Sequence, residues 1–241
     1  MSGDAVQRLT VDSKPRAAFV RTADAWVYRV FDLFLWRFLW RWNRGTIRGE
    51  LPDEPLLLIP NHSSYLDWML LDLLLRHVAH RKAVFLAKRK VLETPLLANL
   101  ARHCGAILVD DTSRMKAVAL AARLFAAPPA DAPPPLVCIF PEGTRSRQGE
   151  RLPASKGAAW LARKAGVRMV PVALCGFCQV WPSHRLLPSL RRSGLSVHFL
   201  PPVLPAAFSD DQGAIDHVMD EVYQALLSAK FHDIDFAERE I

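Results

Sequence analysis

The stretch LLLIPNHSSYLDWMLLDLLL, residues 56–75, changes its period halfway along. Leu56 to Ile59 is an unbroken apolar run, the pattern of a strand buried on both faces. Pro60 closes it. Asn61, His62, Ser63 and Ser64 then make a short polar loop. From Tyr65 to His77 large apolar residues return in a run long enough to be helical. A buried strand, a short polar loop and a helix form the repeating unit of a parallel sheet.

The same alternation continues outward in both directions. KAVFLAK (82–88), GAILVD (105–110), LVCIF (136–140), RMVPVALCG (168–176) and LSVHFLPPV (195–203) read as strands, with a short strand in TIRGELP (46–52). Helices are expected around Pro95 to His103, from a Thr112 or Ser113 cap through Phe125, over 154–166 closed by Gly166, and over 211–230. The prolines of 127–135 exclude helix and predict a surface loop. The fold class that follows is α/β: a mostly parallel central sheet flanked by helices. With 51% hydrophobic and 23% charged residues in 241, the chain can fill a large core.

The front of the chain differs. Residues 1–15 are polar, read as a disordered start, and lack the apolar core of a secretory signal. In AWVYRVFDLFLWRFLWRWN (25–43), Trp26, Trp36, Trp40 and Trp42 stand beside Arg29, Arg37 and Arg41. Tryptophan beside arginine is the composition of an interfacial segment, and a spanning helix carries few charges. Residues 1–47 are therefore expected to form an N-terminal amphipathic membrane-docking helical segment, and 48–241 the main domain. A helix packed on its own domain is the plainer alternative.

Charge supports a polyanionic partner. Residues 1–48 hold nine Arg/Lys against four acids, and 76–90 hold six against none, whereas the tail from Ser209 holds nine acids against two bases. Nucleic acid and anionic membrane both fit that asymmetry. The tryptophans favour an anionic membrane surface, and no nucleic-acid-binding module is visible. CGFC (175–178) is a single CxxC without a second pair. It reads as two buried cysteines rather than a zinc or redox centre with His184 or His198, so no metal is expected.

His62 and Asp67 are five residues apart. Within one helix that spacing separates them by about 140° of rotation. If His62 stays in the loop and Asp67 enters the helix, the loop can fold back and let Nδ1–H donate to the carboxylate, leaving Nε2 as a base. On spacing alone, a helix-capping loop with a solvent-facing histidine is the plainer reading, and in either case Ser63 or Ser64 can serve as the N-cap. A second motif, FPEGTRS (140–146), follows the LVCIF strand. It puts Glu142, Gly143, Thr144 and Arg145 at the carboxyl edge of the sheet, where open α/β sheets bind ligands. Gly143 permits close backbone approach. Arg145 can hold an oxyanion with two parallel bonds.

NHSSYLD followed downstream by FPEGTRS resembles the glycerophospholipid acyltransferase family, which includes lysophosphatidate acyltransferases. The family's H-x4-D motif is matched by His62 and Asp67, its F-P-E-G-T-R-S motif residue for residue, and its V-P-V strand by VPVAL (170–174). LAKRKVLETPLLANLARHCGAILVD (86–110) is similar to the intervening segment. The resemblance covers about residues 48 to 205. It departs at one point. Where the family's second motif carries an arginine for the acceptor phosphate, this chain reads GAILVDD (105–111), with Asp111 in that place and Arg114 three residues on.

The resemblance implies acyl transfer from acyl-CoA or acyl carrier protein to a hydroxyl of a lysolipid acceptor, without a cofactor, at the cytoplasmic face of a membrane. It implies that His62 is the base and Asp67 its orienter. Backbone N–H groups near Gly143 would bind the oxyanion. Arg145, Thr144, Lys88 and Arg114 would hold the acceptor's anionic head, and Glu142 its other hydroxyl or Arg145. A hydrolase and a non-catalytic lipid-binding protein are the rival classes.

Overall fold

The computed structural model describes residue 30 and residues 32–88, 107–109, 114–127, 132–185, 187–189 and 192–237. The expectations for residues 1–15, for the helix around Pro95 to His103 and for Asp110 to Ser113 fall outside these. Seven strands form one sheet: β1 (Thr46–Arg48), β2 (Leu56–Pro60), β3 (Ala83–Lys88), β4 (Ile107–Val109), β5 (Leu136–Cys138), β6 (Arg168–Cys175) and β7 (Ser196–Phe199). Their order is β1-β7-β6-β2-β5-β3-β4. Among these pairs only β6–β7 is antiparallel. The mostly parallel sheet expected from the sequence is present.

Beside the sheet, among the described residues, lie a π-helix (Phe34–Trp40) and five α-helices: α1 (Leu66–Val78), α2 (Arg114–Ala126), α3 (Gly157–Ala165), α4 (Phe177–Val180) and α5 (Asp211–Ala237). Alternation along β2 assigns the layers. Leu56 and Leu58 join a cluster with Leu66, Leu70 and Leu74 of α1 and with Leu35, Leu39 and Trp40. Leu57 and Ile59 join the opposite cluster, with Ala121 of α2, Ala158 and Leu161 of α3, and Ile215 and Val218 of α5. These β2 leucines are fully buried, each worth roughly 1.5–3 kcal/mol of transfer free energy. Helices therefore cover both faces, as the continuous apolar strands require.

Several boundaries differ from the sequence reading. Strand β5 ends at Cys138, because Phe140 accepts the turn bond from Gly143 N–H at 3.1 Å and so belongs to the loop. Helix α3 begins at Gly157 rather than Ala154, and α5 runs on to Ala237. The short α4 was not anticipated. It follows Gly176, whose φ of 79° is left-handed and whose missing Cβ admits the Gly194 carbonyl. Of the CxxC, Cys175 is buried as expected, whereas Cys178 is only half-buried; Cys138 is buried in β5.

The topology places the site. Strands β2 and β5 are parallel neighbours at the middle of the sheet. The chain leaving β2 enters α1 on one face, and the chain leaving β5 continues to α3 on the other. Diverging connections leave a crevice at the carboxyl ends of those two strands.

Candidate active site

The two sequence motifs meet in that crevice. The loop after β2 carries His62, and the loop after β5 carries Glu142 to Ser146. Two bonds join them: His62 N–H donates to Glu142 Oε1 at 3.1 Å, and Ser146 N–H donates to the His62 carbonyl at 2.8 Å.

His62 Nδ1 lies 2.8 Å from Asp67 Oδ2. His62 keeps 17% of its side-chain surface exposed, while Asp67 is fully buried. This is the loop-then-helix geometry rather than the solvent histidine. The same Asp67 oxygen accepts the N–H groups of Ser63 at 2.7 Å and Ser64 at 2.8 Å. The expected N-cap role falls to Ser64, whose Oγ accepts Leu66 N–H, while the Asp67 carboxylate reaches back to accept the Ser64 N–H. The carboxylate in the first turn of α1 gathers the loop's amides, where the helix dipole favours negative charge. Ser64 has other partners, its Oγ accepting Leu66 N–H at 3.1 Å and donating to the Trp181 carbonyl at 2.6 Å. With Nδ1–H directed to Asp67, Nε2 is the lone-pair nitrogen. Phe140 packs against the imidazole, with ring centroids 4.2 Å apart.

Asn61 fixes the loop to the sheet. It accepts Leu174 N–H at 2.7 Å and donates to the Leu174 carbonyl at 3.3 Å, making a side chain do the work of a ladder rung at the end of β6.

On the second loop, Glu142 is 8% exposed, and its Oε1 also accepts the Tyr223 hydroxyl of α5 at 3.3 Å. Burial pushes its pKa up to about 7, against the lowering effect of those two bonds. Gly143 turns the chain with a φ of 63°. Its own N–H is engaged with the Phe140 carbonyl at 3.1 Å. Thr144 is exposed beside it. Arg145 is half-buried and lies over the Tyr65 ring, 3.9 Å from its centroid. A guanidinium stacked on an aromatic face keeps its donor fork in one plane. Among the described residues, Asp67 Oδ1, Glu142 Oε2 and Ser146 Oγ are buried without a hydrogen-bond partner.

Lys88 ends β3, next to β5, and Arg114 begins α2. Their side chains lie outside the described structure, as does Asp111. The sequence reading missed Asn61, Phe140, Tyr65 and Tyr223 as site residues. Asn61, Tyr65 and Phe140 stand inside the quoted motifs, so proximity was the available signal. Tyr223 had none.

Fold and loops together define a three-layer α/β protein with an H-x4-D site at the centre of its sheet. The chain belongs to the Acyltransferase family, whose model matches residues 44–175, more than half its length. A 1-acyl-sn-glycerol-3-phosphate acyltransferase of Chlamydomonas reinhardtii is 32% identical over 181 residues, covering 74% of this chain and 49% of the relative. The human 1-acyl-sn-glycerol-3-phosphate acyltransferase alpha is 28% identical over 176 residues, covering 66% of this chain and 59% of the relative. The chain spans about half the length of the curated relatives it matches. The crystal structure of the 1-acyl-sn-glycerophosphate (LPA) acyltransferase of Thermotoga maritima shares the fold. Its TM-score is 0.64 at 22% identity, over 89% of this chain and 84% of that one.

Proposed function

We propose that this protein transfers a fatty acyl group from a thioester, acyl-CoA or acyl carrier protein, to the free hydroxyl of a lysolipid, with lysophosphatidate as the leading acceptor and phosphatidate as product. The observation that carries the reading is the 2.8 Å His62–Asp67 contact, set against the Glu142–Ser146 loop by paired backbone bonds.

In this mechanism Nε2 of His62 takes the acceptor hydroxyl's proton as the oxygen attacks the thioester carbonyl. Asp67 holds the tautomer and stabilises the imidazolium. Collapse of the tetrahedral intermediate forms the C–O ester bond and breaks the C–S bond. The imidazolium returns its proton to the departing thiolate. No acyl-enzyme is required, so His62 has no need of a neighbouring nucleophile. Arg145, braced on Tyr65, binds the anionic head group of the acceptor. Lys88 and Arg114, at the same edge of the sheet, are the further cations proposed for that role.

One observation widens the acceptor class. Asp111 occupies the place of the family's phosphate-binding arginine, which suits an acceptor with a different or partly cationic head, such as a lyso-aminolipid.

A panel of lysolipids assayed with labelled acyl-CoA and acyl carrier protein separates these acceptors and donors. His62→Ala should lower turnover by about 10³-fold with an unchanged circular dichroism spectrum. Near-normal kcat in that variant would sink the mechanism. Release of free fatty acid without any lysolipid dependence would assign the site to a hydrolase instead.

A further inference from the structure

We propose that Tyr223, on the C-terminal helix, is a positioning residue for the site: its hydroxyl holds Glu142 against the His62 backbone N–H and so sets the spacing of the two loops. The inference rests on the acyl-transfer reading of that site.

The geometry is specific to the hydroxyl. Tyr223 Oη lies 3.3 Å from Glu142 Oε1 and 3.1 Å from the Glu150 carbonyl. A phenol has one proton to donate. It donates to Glu142 when that group is ionised and to the Glu150 carbonyl when it is neutral. Glu142 Oε1 also receives the His62 N–H at 3.1 Å. One oxygen thereby ties the catalytic loop to a helix 81 residues away in sequence. The ring of Tyr223 packs on the apolar cluster of α3 and α5. Phenylalanine would fill that room equally, which isolates the hydroxyl's contribution.

The surroundings of Glu142 explain why a donor matters there. His62 and Asp67 face it from the β2–α1 loop and helix, and Glu150 and Arg151 come from its own segment. Tyr223 faces it from α5, with Asp220 on the same helix paired to Arg151. The guanidinium of Arg151 stands 6.0 Å over the Tyr223 ring. Asp67 and Glu150 are like charges that disfavour a Glu142 carboxylate, as burial does, whereas the Tyr223 and His62 donors favour it. A carboxylate accepts the His62 N–H more strongly than a neutral acid does. Loss of the Tyr223 hydroxyl therefore loosens the loop pair where it turns an otherwise ionised Glu142 neutral.

The test compares full-length wild type, Tyr223→Phe, Glu142→Gln and the double variant. Two readouts are used: kcat/KM against pH, and the carboxyl titration of Glu142 followed by ¹³C NMR. In Tyr223→Phe the Glu142 midpoint should rise by about half a pH unit. The acid limb of kcat/KM should move with it, with about threefold lower activity below neutrality. In the Glu142→Gln background, Tyr223→Phe should change nothing further. An unmoved midpoint, or an equal Tyr223→Phe effect in the Glu142→Gln background, overturns the assignment. Wild type that acylates no lysolipid overturns the acyl-transfer reading alone, and the titration still decides the role of Tyr223.

Discussion

At the residue scale the site concentrates strain of an electrostatic kind in Glu142. Burial raises its pKa from 4.5 to about 7, even with donors from His62 and Tyr223 in place. The sign of the linkage follows. Below pH 4.5 the acid is neutral in both folded and unfolded chains, and its burial costs no charge desolvation. Between about 4.5 and 7 the folded state holds the proton more tightly, so stability declines as pH rises, and above 7 the full penalty is present. At 1.36 kcal/mol per unit, that penalty is on the order of 3 kcal/mol. Glu142→Gln keeps an acceptor for the His62 N–H and removes the charge. At pH 8 it should melt several degrees above wild type, while acyl transfer falls. The two should converge at pH 4.5. Thermal melts across that range test this, and equal melting temperatures at pH 8 would show that Glu142 bears no such penalty. A buried acid retained against stability is what a working position, rather than a packing position, would show.

At the scale of elements, the front helical segment is held to the body by packing and by one charged clamp. Leu35, Leu39 and Trp40 enter the same apolar cluster as α1. Arg76 of α1 grips Asp32 with two bonds, at 2.9 and 3.1 Å, and Asp72 with a third at 3.0 Å. Both Arg76 and Asp32 are about one-quarter exposed, at 26% and 24%, so the pair is partly screened. Asp32→Asn should cost about 1 kcal/mol. Its signature should be local: faster amide hydrogen exchange over 32–42, with β2 and α1 unaffected. Exchange that accelerates uniformly would mean the clamp supports the whole fold instead. This segment also shows what a sequence makes legible. Its helical character was readable, but the π form was not. One extra residue per turn is what lets Leu35, Leu39 and Trp40 share a face, and only the partner surface selects it. The mostly parallel, two-sided sheet was readable from continuous apolar runs, whereas the strand order was not, because it depends on pairings between distant segments. His62 and Asp67 were readable only once both motifs were weighed together. The Asn61–Leu174 and Glu142–Tyr223 bonds were not, because they span 113 and 81 positions and exist only through sheet register and helix docking. Asp67 as a cap reaching backward was hidden for a nearer reason. Serine and aspartate cap helices about equally well, and only the folded loop shows which oxygen each amide finds.

At the scale of the whole molecule, the remaining question is how an acyl-transfer site would reach a substrate dissolved in a bilayer. No helix among the described residues is long and apolar enough to cross a membrane. The described part of the front segment exposes Leu33 at 57%, Phe34 at 40% and Trp42 at 42%, with Arg41 exposed between them and Arg192 stacked 4.5 Å over Trp42. Asn43, next to Trp42, accepts Ser193 N–H at 3.0 Å. Docking through this surface would hold the protein against the lipid head groups. Basic residues near an anionic surface contribute roughly 1 kcal/mol each. Binding to liposomes should accordingly rise with the fraction of anionic lipid and weaken between 0.15 and 1 M salt, as the Debye length shortens from about 8 to 3 Å. Arg41→Glu combined with Arg48→Glu should weaken co-sedimentation by at least about tenfold. Leu33→Ser with Trp42→Ser should weaken it with little change in its salt dependence, since those residues contribute buried apolar area rather than charge. Co-sedimentation indifferent to lipid charge and salt, and untouched by the arginine reversals, would remove electrostatic docking from the account and leave the basic front of the chain serving some other partner.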